Sequence, residues 1–275
     1  MRSRLFPITD DHIHFDPVNG RGVEAAKDFL HAGGTHIFLV AKPSWSFGIE
    51  PVTGNDYAPV FEETLRIAGL IRETGLVVFP ILGVHPAEIG RLTERVPLEK
   101  AVEVMKGGLD CAAGYVREGK AVALKSGRPH YEVSAEVYAA SNEVLTYALE
   151  LAAGCRCALQ IHAESGPCAD VADMAKVAGM PVDRVVKHYG SPETPLHPSL
   201  IAKHDTVSVL AKMCRPFTLE SDFMDENSRP GAVTGPKSVP RITKKLVESG
   251  TLSEEDCWRI HGETPEKVYG VRISL

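Results

Sequence analysis

The chain has 275 residues, 44% hydrophobic and 24% charged, with a formal net charge of -6 and no run of Lys or Arg. That balance supports a large core and gives no general electrostatic grip on nucleic acid, although a local basic patch at a catalytic mouth stays compatible with it. No window approaches the roughly 20 apolar residues of a membrane helix, the N-terminal run MRSRLFPITDDHIHF holds no apolar segment of signal-peptide length, and the expectation is a soluble, cytoplasmic protein.

No Gly/Ser/Pro linker divides the sequence, and about 250 residues suits a (β/α)8 barrel. The reading is therefore one barrel domain over residues 1–275. A first strand is expected over Ile8 to Phe15 and a helix over Val23 to Ala32, ended by Gly33-Gly34. A second strand covers Thr35 to Ala41, followed by the loop KPSWSFGIEPVTGND and a helix from Pro59 to Thr74. The third strand, Leu76 to Val84, is a near-continuous apolar run, as in a sheet buried on both faces. A helix over Leu98 to Glu118, a strand over Ala121 to Ser126 and a helix over Ser134 to Ala153 come next. A fifth strand spans Arg156 to Ala163, a helix Cys168 to Ala178, and a sixth strand Asp183 to His188. The pattern then predicts a short helix over Pro198 to Lys203, a seventh strand over Thr206 to Leu210, and an eighth over Phe217 to Asp222. The connection AKMCRP is too short for a full helix, so an irregular barrel is expected there. Helices over Pro240 to Glu248 and Ser253 to Tyr269 close the chain, the last with Ser253 and Asp256 as an N-cap signal. Strands alternating with helices point to an α/β fold with parallel strands, here a TIM barrel.

Six cysteines, Cys111, Cys155, Cys157, Cys168, Cys214 and Cys257, do not suggest a disulfide scaffold in a chain of this size. Cys155-Arg-Cys157 invites a metal reading. Strand alternation instead turns that pair away from His162 toward the helix layer, as packing thiols.

The chemistry lies at the predicted C-terminal ends of the strands. His12 and His14 are two apart, so on a strand both imidazoles face one way, with Asp10 on the same face as an orienting group. Alone, an H-x-H pair is weak evidence. Lys125 ends the fourth strand, His162 the fifth, His188 the sixth and Asp222 the eighth. In a closed parallel barrel these six meet at one mouth and can hold two divalent cations. An ammonium would be repelled there, so Lys125 either reaches solvent or a substrate anion, or carries a carbamate formed with CO2. The carbamate is anionic and bidentate and can bridge two metals.

These residues and their motifs DDHIHFD, GVHPAEI, SGRPHY, LQIHAES, VVKHYG and LESDFMDENSRPGAV resemble the amidohydrolase superfamily, and within it the TatD-related hydrolases of archaeal type. The resemblance implies metal ligation by His12, His14, His162, His188 and Asp222. At the fourth-strand bridge TatD-like proteins usually carry glutamate. Lys125 is instead similar to the carboxylated lysine of phosphotriesterase-like members. His188-Tyr-Gly also departs from the His-Cys-Phe-Ser-Gly of bacterial TatD proteins. The resemblance further implies that His85 contacts substrate, and His130, Arg128 and Arg229 join it as candidates on the catalytic face, the two guanidinium groups suiting phosphate or carboxylate.

The implied mechanism is hydrolysis by a metal-bridging hydroxide, with Asp222 moving the proton and Lys125 as the bridge. Zinc is the first choice of metal, with Mn, Co, Ni, Fe or Mg as alternatives. The substrate is a small-molecule phosphoester or phosphodiester, as for a TatD-like deoxyribonuclease, with nucleic acid not indicated by charge. The alternatives are a phosphotriesterase-like lactonase or amidohydrolase and a non-enzymatic metal-binding barrel.

Overall fold

The computed structural model describes residues 6–213, 215–229 and 233–275. Cys214, the start of the N-terminal run and part of the LESDFMDENSRPGAV motif lie outside the described residues. The elements in order are β1 (Thr9–His14), α1 (Val23–Ala32), β2 (His36–Val40), α2 (Ala58–Arg72), β3 (Val77–Gly83), α3 (Glu88–Thr93) and α4 (Leu98–Arg117). Then come β4 (Ala123–Gly127), α5 (Ala135–Cys155), β5 (Ala158–His162), α6 (Ala169–Val177), β6 (Val185–Lys187) and β7 (His197–Ile201). The chain ends with α7 (His204–Lys212), β8 (Thr218–Glu220), β9 (Phe223–Met224), α8 (Ser238–Glu248), α9 (Glu254–Trp258) and α10 (Thr264–Tyr269), the last two joined by a π turn over Arg259–Glu263.

The strands form one sheet in the order β8-β7-β6-β5-β4-β3-β2-β1-β9, and neighbouring strands run parallel. Its two edges, β8 and β9, are halves of one interrupted strand, separated by Ser221 and Asp222. The sheet therefore curls round until it meets itself, as a TIM-type α/β fold does. Asp10 fastens the seam: its Oδ1 accepts the backbone N–H of Ser221 at 3.0 Å and of His12 at 3.2 Å. It thus acts on the His12 backbone and not on the imidazole.

Two predicted elements exchange places. Residues 198–203 were expected as a helix, but His197–Ile201 is the fully buried strand β7. Thr206 to Leu210, expected as a strand, lies inside α7. There Val207 and Leu210 are buried while Val209 is 49% exposed, which is the three-residue spacing of a helix and not the alternation of a strand. The β7–β8 connection is consequently an ordinary helix. The irregularities fall instead at the β6–β7 connection, where no helix is assigned, and at the break between β8 and β9.

Between sheet and helices lie three apolar clusters, with Phe29, Phe61 and Leu109 among their fully buried members. Each such side chain contributes about 1.5–3 kcal/mol by leaving water. Cys157 is buried in this layer, and Cys155, the last residue of α5, packs against it. A fourth cluster, including Phe38, Val40, Ile81, Ala158, Val186 and Tyr269, fills the inside of the sheet. Tyr269 comes from α10, and its hydroxyl reaches Gln160 at 2.7 Å.

Candidate metal centre

Close strand packing sets the positions of the candidate ligands. Gly83 and Gly127 have φ of 159° and 148°, and a Cβ on them would lie 1.9 Å from Lys125 O and 1.8 Å from His162 O. Only glycine lets β3 approach β4, and β4 approach β5, this tightly. Asp222 adopts φ 46° at the break between β8 and β9, a left-handed conformation that aspartate visits more readily than most residues. Its N–H donates to His12 O at 3.0 Å. The break thereby turns its carboxylate toward β1.

His12, His14, His85, Lys125, His130, His162, His188, Asp222 and Arg229 all line one cavity of about 530 Å3. One ligand atom from each of His12, His188 and Asp222 lies within 4.8 Å of the other two. Asp222 Oδ1 is 3.8 Å from His12 Nε2, and its Oδ2 is 3.7 Å from His188 Nε2. The His12 and His188 rings stack at 3.8 Å.

The far sides of the His12 and His14 rings fix their tautomers. Gln160 donates its amide to Asp11 O and faces His12 Nδ1 with Oε1 at 2.8 Å, so His12 carries its proton on Nδ1. His14 Nδ1 donates to Val40 O at 2.8 Å. Glu220 Oε1, which accepts the Tyr189 N–H, lies 2.8 Å from His188 Nδ1. Burial first, then neighbouring histidines and Lys125, push His12 and His14 well below the usual histidine pKa. His188 is pushed by burial to about 3. All three rings are therefore neutral near pH 7, and those of His12 and His14 carry bare Nε2 atoms. These two atoms face each other at 3.1 Å. Two lone pairs at that distance repel unless a cation lies against both, so this donor set fits a metal ion.

The second group is looser. His162 Nε2 is 2.7 Å from His130 Nδ1, and the His162 ring is 5.4 Å from that of His188 and 4.9 Å from that of His85. Lys125 is buried, with Nζ 3.3 Å from His12 Nε2. Burial lowers its pKa to about 8, with Asp222 and Glu220 opposing the shift. Arg229 is exposed at the mouth.

Arg128 departs from its expected place. It is fully buried and absent from the cavity wall. Its guanidinium is committed to both carboxylate oxygens of Glu164 and of Asp170 and to Asn142 Oδ1. It ties the segment after β4 to the one after β5, and nothing is left to meet a substrate anion.

The profile of the TatD related DNase family matches residues 9–270. The chain belongs to this family. An uncharacterized protein of Methanocaldococcus jannaschii is 36% identical over 284 residues, covering 99% of each chain. Among solved structures, the TatD homolog YJJV of Escherichia coli K12 superposes with a TM-score of 0.66 at 17% identity, over 98% of this chain and 100% of that one. The phosphotriesterase homology protein of Escherichia coli, solved with phosphate in its active site, gives 0.64 at 13% identity over 97% and 99%. An organophosphorus hydrolase from Deinococcus radiodurans gives 0.59 at 13% identity over 96% and 92%. At these identities the structural likeness is one of fold.

Several residues of this TatD-family cavity were not marked by the sequence. Lys187 lines it, with Nζ donating to Ala163 O and His188 O. Its only signal is its place before His188. Trp45 stands on a 3-10 turn over Ser44–Phe47, its ring 6.2 Å from that of His85. The sequence marked only an irregular loop there. Gln160 and Glu220 each stand two residues before a candidate ligand, His162 and Asp222, and the partners they hold came from the structure.

Proposed function

We propose that this chain is a metal-dependent hydrolase of phosphoesters or phosphodiesters, with His12, His14, Lys125, His162, His188 and Asp222 holding two divalent cations. The observation that carries the reading is the convergence of the neutral His12 and His188 imidazoles on Asp222, with the His12 ring held from behind by Gln160. His-plus-carboxylate donors take zinc, with Mn, Co, Ni, Fe or Mg as alternatives. When bound, such cations acidify water and polarise the substrate oxygen. The chain's own groups do the rest. Asp222 accepts the proton of the attacking water. Arg229 meets an anionic ester oxygen at the mouth. His85 and His130 flank the substrate on the β3 and β4 side. Lys125, as a carbamate formed with CO2, would hold the cations through two anionic oxygens.

A second reading is a lactonase or amidohydrolase. What favours it is Lys125 at the bridging position, together with the fold shared with organophosphorus hydrolases. The test is chelator-stripped protein reconstituted with each metal and assayed on bis(p-nitrophenyl) phosphate and on a lactone panel. Metal-dependent phosphodiester turnover is expected. Faster lactone turnover transfers the assignment to the second reading, and stoichiometric metal binding without turnover on either panel reduces the protein to a metal-binding barrel.

A further inference from the structure

Past Trp45 the metal cavity continues into a second cleft of about 690 Å3. The two share Trp45, Ser46 and Glu226. Their electrostatics differ. Lys125, Lys187 and Arg229 line the metal cavity. The second cleft is lined by three carboxylates, Asp16, Glu63 and Glu226, and by one cation, Lys42. That cation is spent: Lys42 Nζ is 2.7 Å from Asp16 Oδ2, both side chains being buried. Glu63 is already held by two 2.6 Å bonds from Arg66. The rest of the wall is largely apolar, from Val18, Phe47, Ile49 and Pro59 beside the Trp45 indole. Val18 is 78% exposed at the rim.

A polynucleotide running from the metals into this cleft would set its next phosphates beside Glu226 and, among the described residues, meet no uncommitted lysine or arginine on the wall. Such tracks are normally lined by cations. We propose that the cleft receives one uncharged, hydrophobic ester group, so that the substrate is a phosphoester of a hydrophobic alcohol and not the interior of a nucleic-acid strand. The inference deepens the phosphoester reading and rests on it for the reaction, in which water's oxygen bonds to phosphorus, the P–O bond to the alcohol breaks, and a water proton goes to the departing alkoxide. The affinity of the cleft for an uncharged group does not depend on that reading.

Two measurements test it. With metal-reconstituted full-length protein, kcat/KM for phosphate release is compared across the methyl, benzyl and 2-naphthylmethyl monoesters of phosphate, and with kcat/KM for internal cleavage of a single-stranded oligonucleotide. We expect a rise of at least about tenfold from methyl to naphthylmethyl, largely removed by Val18→Glu, while the methyl ester changes by less than about twofold. A flat ester series, or oligonucleotide cut internally as fast as the naphthylmethyl ester, overturns the proposal. In the second measurement cyclohexylmethanol is titrated into metal-free protein and tryptophan emission is followed. A saturable shift is expected, absent in Trp45→Phe, weakened in Val18→Glu and not produced by inorganic phosphate. No shift overturns the cleft assignment. A shift in a protein that hydrolyses no phosphoester keeps the cleft and removes the phosphoester reading.

Discussion

Gln160 Oε1 faces His12 Nδ1 at 2.8 Å, while the Gln160 amide is itself fixed by Asp11 O and by Tyr269 OH, each at 2.7 Å. A C-terminal helix thus orients a candidate ligand on the first strand through one fully buried amide. Groups that orient ligands from behind typically contribute 10–100-fold in metal affinity. Gln160→Leu is accordingly expected to weaken metal binding by about 10–100-fold with the fold retained. Tyr269→Phe, which leaves the amide's bond to Asp11 O intact, should have a smaller effect. Competitive titration with a chelating indicator reads both. Unchanged affinity in Gln160→Leu would show that the His12 ring needs no such support.

His12→Ala and Asp222→Asn remove donors that converge on one point, and neither residue belongs to an apolar cluster. Both variants should stay folded by circular dichroism and lose hydrolysis by at least about 10³-fold, with metal content falling most in His12→Ala. Normal turnover in either would contradict the roles proposed for them.

The sheet was legible because its strands are short apolar runs bounded by glycine and polar residues, with β1, β4, β5 and β6 carrying a candidate ligand at or near their ends. The exchange of β7 and α7 has a physical origin. HPSLI carries a proline, and its burial on both faces leaves no alternation to read, whereas TVSVL alternates β-branched residues although it folds as a helix. Short apolar runs of this kind do not distinguish strand from helix by periodicity. That His12, His14, Lys125, His162, His188 and Asp222 gather at one cavity was legible from spacing and strand ends. Arg128 was misplaced because an arginine beside a catalytic strand gives no sign of its partners, and Glu164 and Asp170 lie far along the chain from it. The second cleft was illegible for a similar reason. Val18 follows β1 while Ile49 and Pro59 follow β2, so the pairing of those strands brings them together, and Glu226 joins them through β9.

Asp16 and Lys42 form a buried pair at 2.7 Å that links the segments after β1 and β2. Burial alone would raise Asp16, but the Lys42 ammonium and the N–H groups of Asn19 and Val18 outweigh it and hold the carboxyl below its usual range. A depressed carboxyl stabilises the fold above its unfolded-state pKa, and that contribution disappears as pH falls through the lower folded value. Lys42→Met leaves the carboxylate buried without its partner and should cost about 3–5 kcal/mol at pH 7. The gap between wild type and variant should narrow below about pH 4, where the wild-type pair is itself lost. Urea unfolding at a series of pH values measures both. A gap independent of pH would mean that the loss comes from packing and not from charge.

Lys125 carries the most specific prediction. Its amine is buried beside His12, and Asp222 and Glu220 are close enough to influence its charge. As an ammonium it repels divalent cations, and as a neutral amine it offers no second donor with which to link them. A carbamate supplies two anionic oxygens from the same position. Protein reconstituted with metal in the presence of 13C-bicarbonate should show a carbamate carbon resonance that Lys125→Ala lacks. Lys125→Ala should also lose metal and activity, and short carboxylates or bicarbonate should restore part of both by filling the vacated space. Lys125→Glu keeps an anion in place and should retain more metal than Lys125→Ala. A metal-loaded structure with an unmodified ammonium turned away from two occupied sites would exclude the bridge and require another anion between the cations.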